Sequence, residues 1–513
     1  MRPALALALA FGLAACRKDP PMVKLERACD RDDFASCYTL AYSLRIGEGI
    51  ALDLKRAARL FERACDGEVM AACEHLAQMY EVGVGVEPDV VKARRAYERA
   101  CDRGAAGACN GLALMTAEGR GGRPDEKQAT EIFTRACDLG NGTACMNLGT
   151  QYAHARGVPR DEARAVQLFR RGCEGGEAGA CDDVGVMTLE GKGVTVDAEQ
   201  AASYFERACA GGHPRGCHNL ASVLSMGRGL PRDETRAASM DEKACGLGHP
   251  ISCARMGARA LGYLGGHPNI PAAIAPLRKA CSSNQAEACY NLAWIYAAGP
   301  DALRDVAAST DLYQQACDAK LPDACDGLGH VLTDGVGVEH DPKRALSLFR
   351  QACEAGNQNG CNDVAFALEE GRGAPKDEAT AGKMYRDLCA HGFPLGCSNL
   401  GELLESGRGV RRDAVEAVAR FTSACEAGEQ FGCDNLGRML LEGQFLPRDP
   451  VRALALLNRA CAEGIGKACL RLSAAYRAGR DVRQDLEAAS QFNQKACEAG
   501  ESTGCDGGTP DQR

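Results

Sequence analysis

Apolar and small side chains return along this chain every 36 residues. Leu40, Leu76, Leu112, Leu148, Val184 and Leu220 hold one position of the pattern. The residue after it is small, as at Ala41, Ala77, Gly149, Gly185, Ala221 and Gly401. A small side chain at a fixed helical position lets two helix backbones approach closely. A tyrosine or leucine such as Tyr80, Tyr152 or Leu404 closes this first helix. A Gly-x-Gly loop follows, at Gly83 and Gly85, Gly119 and Gly121, Gly191 and Gly193, and Gly335 and Gly337. Short Pro/Asp segments such as Pro231-Arg232-Asp233 then read as a turn and helix cap. An Ala-x-x-x-Phe/Tyr pattern, as in Ala93 to Tyr97, Ala201 to Phe205 and Ala345 to Phe349, marks a second helix. The pattern predicts an all-α chain of helix–loop–helix–turn units, each packing only on its neighbours in the stack.

Cysteine fixes the register of these units. Setting Cys16 aside, the remaining 28 of the 29 cysteines form fourteen pairs, and each first member lies 36 residues after the last. The pairs are Cys29–Cys37, Cys65–Cys73, Cys101–Cys109, Cys137–Cys145, Cys173–Cys181, Cys209–Cys217 and Cys245–Cys253, then Cys281–Cys289, Cys317–Cys325, Cys353–Cys361, Cys389–Cys397, Cys425–Cys433, Cys461–Cys469 and Cys497–Cys505. Eight residues of unbroken helix would hold the partners about 12 Å apart, beyond the roughly 7 Å reach of a disulfide. Ten of the fourteen pairs, however, carry glycine three residues after the first cysteine, for example Gly104, Gly140, Gly176, Gly356 and Gly428. Glycine there ends a helix in the left-handed conformation and reverses the chain. Each pair is therefore expected to bridge the end of one helix to the start of the next. On the chain-entropy model a ring of this size stabilises by about 2.6 kcal/mol. Zinc is the competing use of cysteine, but no repeat supplies a regular histidine or Cys-x-x-Cys spacing.

Composition adds compartment and excludes some partners. The 513 residues carry a formal charge of −9, with both signs interleaved and no basic stripe for a phosphate backbone, so nucleic acid is not an expected partner. Aromatic residues make up 5% and Trp294 is the single tryptophan, which argues against large globular cores. Met1-Arg2-Pro3 and the apolar run Ala4 to Gly12 have the length of a signal peptide, too short to span a bilayer. The run ends in Leu13-Ala14-Ala15-Cys16, which looks like a bacterial lipobox with Cys16 as the acylated residue. Two or more acyl chains give a stable anchor. Arg17, not an aspartate, follows it, and by resemblance to enteric lipoproteins this implies the outer membrane, with the chain facing the periplasm or cell surface. Many disulfides agree with export. The expected organisation is a signal peptide at 1–15, a tether at 16–23, an array of about thirteen repeats over 24–505 and a disordered tail at 506–513.

Three stretches carry a family resemblance: Ala144-Cys145-Met146-Asn147-Leu148-Gly149, Asp334-Gly335-Val336-Gly337-Val338, and Lys343-Arg344-Ala345 through Phe349-Arg350-Gln351-Ala352-Cys353. They resemble the Sel-one-like repeat family, in particular its cysteine-rich, Hcp-like bacterial branch, from about residue 24 to 505. The resemblance implies a right-handed α-solenoid superhelix of αα-hairpins, related to tetratricopeptide arrays, with a long concave surface. It implies adaptors and scaffolds for other proteins, although some cysteine-rich members are described as penicillin-binding or weak β-lactam hydrolases. Two repeats depart from the pattern. His154-Ala155-Arg156-Gly157 replaces one Gly-x-Gly loop. Tyr263-Leu264-Gly265-Gly266-His267-Pro268 interrupts another, with Pro271 and Pro276 close behind. Each reads as drift within a stable stack or as a specialised patch.

Catalytic motifs are not evident. Ser-x-x-Lys with Ser-Asp-Asn and Lys-Thr-Gly, His-Glu-x-x-His, a P-loop and Gly-x-Ser-x-Gly are all missing from the sequence. His213, His249 and His267 each precede a proline and read as turn residues, whereas His75, His218 and His330 fall on first helices. Acidic pairs such as Glu369-Glu370 read as solvated faces. No catalytic, cofactor or metal residue is nominated. The expected function is a periplasm-facing lipoprotein scaffold that binds a protein or peptide, touching the membrane through its anchor alone. The alternatives are a weak β-lactam hydrolase, which demands a nucleophile, and a structural spacer, which demands no partner.

Overall fold

The structure, a computed structural model, describes residues 21–264, 267–443 and 445–505. The signal segment, Cys16 and the tail 506–513 lie outside the described residues. Among the described residues, every regular element is a helix. Two kinds alternate. The A helix opens with the second cysteine of a pair in its first turn, as in Met70–Val82, and the B helix ends with the first cysteine of the next pair, as in Val90–Asp102. Nearly all are 13 residues long, which fits two helices, a loop and a turn into one 36-residue period.

Capping explains where the B helices start. Asp53, Asp89, Asp125, Asp161, Asp197 and Asp233 are N-caps whose carboxylates accept from backbone N–H groups of the first turn. Asp305, Asp341, Asp377, Asp413, Asp449 and Asp485 repeat the device in the second half of the chain. Each of these caps is worth about 1 kcal/mol. The same residue's N–H donates back to the A helix before it, from Asp89 to Tyr80 O (2.9 Å) and from Asp413 to Leu404 O (2.9 Å). The B helices end under side chains of the following B helix. Arg171 and Arg207 donate to the carbonyls of Cys137 and Cys173, both at 3.2 Å. Cations at helix C-termini satisfy orphan carbonyls and oppose the dipole.

Thirteen disulfides are described, each closing the turn from a B helix into the next A helix. Their Cα–Cα distances run from 4.4 to 4.8 Å, so the turn does bring the partners within bonding reach. Ten of the turn positions are glycines at positive φ, such as Gly104 at 85° and Gly356 at 91°. The other four, Asp32, Glu68, Asn284 and Lys320, adopt the same left-handed backbone at φ 60–69°. The same capping hydrogen bonds close both kinds of turn, as from Ala105 N to Ala100 O (3.0 Å) and from Leu321 N to Ala316 O (3.1 Å).

The small position of the A helix faces the aromatic of the B helix that follows. A Cβ on Gly185 would lie 2.5 Å from the Phe205 ring, and one on Gly401 2.6 Å from that of Phe421. Phe205 and Phe421 are fully buried. Within each unit the A helices pack against the B helices that flank them in sequence, and several A helices of neighbouring repeats also touch. The chain divides into two compact units, 1–252 and 253–513.

Of the two irregular repeats, the first keeps its geometry: Ala155 takes the left-handed cap position at φ 57° and Gly157 the second loop position at φ 68°. The second is altered, with an A helix of 11 residues, Pro250–Ala260, and Pro276 inside the B helix Ile270–Cys281. A third departure was not anticipated. At Gly299-Pro300 the loop glycine is extended (φ −71°, ψ −177°), and a short 3₁₀ turn, Asp301–Leu303, replaces the second glycine. Glu369 also corrects an expectation. It is buried rather than solvated, accepts from Tyr385 Oη at 3.1 Å, and pairs with Arg408 at 3.0 Å.

Candidate functional site

Successive A helices are joined by side-chain rungs. The residue just after the second cysteine of one repeat meets the residue two beyond that cysteine in the next, 37 positions on. Asn147 donates to Asn110 Oδ1 (2.9 Å), Asn219 to Asp182 Oδ1 (2.8 Å) and Asn399 to Asn362 Oδ1 (2.8 Å). Arg471 bonds Asp434 at the same step, and Tyr38 meets His75 at 3.4 Å. Each of these five rungs pairs a donor with an acceptor, as half-buried polar groups require.

Between the A helices Ala286–Ala298, Pro322–Asp334 and Gln358–Glu370 this rule fails twice. Opposite Tyr290 the rung partner is Gly327, which has no side chain. A Cβ there would lie 2.8 Å from Tyr313, so glycine is required by the buried tyrosine beside it. The missing side chain leaves an open cleft of about 440 Å³, lined by Tyr290, Trp294, Tyr313, Asp323, His330 and Asp334 among others. Trp294 is 38% exposed on one wall, and the Tyr290 and Tyr313 rings pack 5.8 Å apart.

At the next rung the donor is replaced by an acid. Asp326 faces Asp363, where Asn147, Asn219 and Asn399 stand in other repeats. His330, one helical turn beyond Asp326, places Nε2 2.8 Å from Asp363 Oδ2 and 3.8 Å from Asp326 Oδ2. Asp326 Oδ1 is buried without a hydrogen-bond partner. Burial first, and the Asp363 carboxylate second, push the Asp326 carboxyl well above the ordinary range. His330 is held above its usual value chiefly by its hydrogen bond to Asp363. Tyr290, Trp294 and Tyr313 line the cleft together with Asp323, Asp326 and Asp334, a combination that suits a ligand with positive charge.

Other residues singled out in the sequence fall elsewhere. His75 stacks on Tyr38 with ring centroids 5.9 Å apart and meets Arg45 at 2.8 Å. His213 is the N-cap residue before Pro214. His249 stacks on His218 at 4.4 Å, and both rings meet Ser252 Oγ. Ser252 is fully buried, and His218 Nδ1 faces both it and Asp241. One nitrogen cannot serve nucleophile and orienting acid at once, so this is packing rather than a hydrolytic triad. A second open cleft, of about 610 Å³, lies beside His154 and Ala155, where Arg215 pairs with Asp182 and Asp183. The exchange of amide for acid at Asp363 was missed in the sequence, yet it is visible once the chain's own repeats are stacked on their cysteines.

The fold and its rungs define a disulfide-stapled α-solenoid. The Sel1 repeat model matches residues 35–68, 71–104, 106–141, 142–177, 178–213, 214–249, 286–321, 322–357, 359–393, 394–429, 431–465 and 466–501. The chain belongs to the Sel1 repeat family. No match falls on 250–285, the stretch holding the most altered repeat. Comparison with curated proteins gives no relative. Among solved structures, the chain is similar to c5321, a protective antigen present in uropathogenic Escherichia coli strains displaying an SLR fold. Identity is 23%, with 96% of this chain and 98% of that one covered and a TM-score of 0.63. That likeness speaks for the fold. A Sel1 repeat protein from Oxalobacter formigenes is 24% identical over 60% of this chain and 90% of its own (TM-score 0.45). Cysteine-rich protein B of Helicobacter pylori is 27% identical over 26% of this chain and 95% of its own (TM-score 0.23).

Proposed function

We propose that the chain is an exported lipoprotein scaffold, anchored through Cys16, that binds a segment of another protein along a concave face made by its A helices. The observation that carries the reading is the contact between A helices of neighbouring repeats within each unit. In a curved stack the row of helices that touch from repeat to repeat is the inner row, and solenoids use that row for binding. The clefts beside Trp294 and His154 open on A helices, where polar rungs and exposed aromatic rings offer hydrogen bonds and stacking. Export is supported by the disulfides, which persist in oxidising compartments. Among the described residues no helix is long and apolar enough to cross a membrane, so attachment rests on the lipobox around Cys16. The periplasmic, outer-membrane assignment follows from Arg17.

A photo-crosslinking residue placed at Trp294 tests the binding face against one placed at Val451, which is 83% exposed on the B helix Pro450–Ala462. Discrete adducts are expected from position 294 and only background from 451. Equal labelling, or none at 294, would refute the A-face reading. Intact mass tests the anchor. An acylated N-terminal Cys16 is expected, and cleavage elsewhere or an unmodified thiol would remove the lipoprotein claim.

A further inference from the structure

We infer that Asp326, His330 and Asp363 form a binding site for one divalent transition-metal ion. Among the described residues they are the one group of three or more such side chains whose ligand atoms all lie within 4.8 Å of one another. Two oxygens and an imidazole nitrogen at 2.8 and 3.8 Å bracket the roughly 3.3 Å expected between ligands around a tetrahedral zinc, given bonds of about 2.0–2.2 Å. Imidazole with carboxylates suits zinc, and this d10 ion needs no redox partner.

Two independent observations point to a cation. Asp326 retains 9% of its exposure, yet its Oδ1 has no hydrogen-bond partner. Buried carboxylate oxygens are expensive to leave unpaired. The second is the ladder itself. At 147, 219 and 399 the rung position holds an asparagine that donates to the repeat before it, and at 471 an arginine does so. Asp363 removes that donor, so two carboxylates come within 4.8 Å of each other across the A helices. A divalent ion would neutralise both and leave His330 neutral, as a metal ligand must be. His330 also borders the cleft beside Trp294, so a remaining coordination position would open toward it. The inference does not depend on what the A face binds.

The test uses the untagged full chain, stripped with a chelator and titrated with Zn²⁺ by calorimetry. Asp363→Asn installs the residue that stands at the same position at 147, 219 and 399 and so should fold. His330→Gln removes the nitrogen ligand while keeping a polar side chain. One equivalent of Zn²⁺ is expected to bind the intact chain and raise its unfolding temperature, with affinity at least tenfold lower in each variant. X-ray absorption of the bound ion should show nitrogen and oxygen neighbours and no sulfur. No stoichiometric binding by the intact chain would overturn the site and leave a proton-bridged rung in its place. Binding equally tight in both folded variants would also overturn it.

Discussion

At the scale of single residues, the turn between the paired cysteines separates what glycine supplies from what the ring imposes. Lys320 holds φ 69° in a turn where ten other repeats use glycine. A side chain in the left-handed region costs about 1–2 kcal/mol, and glycine returns part of that gain through its freer unfolded chain. Lys320→Gly is therefore expected to stabilise its repeat by about 0.5–1 kcal/mol. The reverse change, Gly356→Lys, should destabilise by a similar amount. A Cβ at Gly356 would meet nothing within 4 Å, so backbone conformation is the only term altered. Repeat arrays need not unfold in one step, so local hydrogen exchange is a better readout than a single melting temperature. Slower exchange in the amides around Cys317–Cys325 for Lys320→Gly, and faster exchange around Cys353–Cys361 for Gly356→Lys, are the expected results. No change in either would show that the disulfide ring alone sets the backbone cost.

At the scale of helices, most of the architecture was legible because the period never slips. A constant 36-residue spacing aligns each small A-helix position with one B-helix aromatic, so Gly185 with Phe205 and Gly401 with Phe421 repeat a single packing solution. The aspartate that starts twelve of the B helices obeys the same period, and Asp233 alone would have located it; Asn269 takes its place in the altered repeat. What escaped the reading depends on neighbours in space. Glu369 looked solvated beside Glu370, but Tyr385 lies 16 residues on and Arg408 further still, and both reach it. Asp326 and Asp363 are 37 residues apart, and no sequence motif marks either. Their meaning appears only when two A helices are laid side by side and the expected amide is found missing. The cleft beside Trp294 was hidden for a similar reason, since Gly327 reads as one more small residue until Tyr290 and Tyr313 are placed around it.

At the scale of the whole chain, the repeats do not form a uniform array. The two compact units meet in sequence between 252 and 253, inside the one stretch, 250–285, where the family pattern is lost. That stretch combines a shortened A helix with a proline inside the following B helix, and proline there removes a backbone hydrogen bond. Tyr263 and Leu264 are 63% and 53% exposed just after the shortened helix. Low local stability and exposed apolar side chains make a preferred protease site. Limited chymotrypsin treatment of the native, oxidised chain is therefore expected to cut first at Tyr263–Leu264. Each described disulfide spans eight residues and none encloses this bond, so the products should separate on a denaturing gel without reductant. The two fragments should carry the N-terminal and C-terminal halves by mass and resist further digestion while their disulfides stay intact. A first cut elsewhere, for example after the exposed Phe445, would mean that the altered repeat packs as firmly as its neighbours. Loss of pattern there would then be drift in sequence without a weak point in the stack.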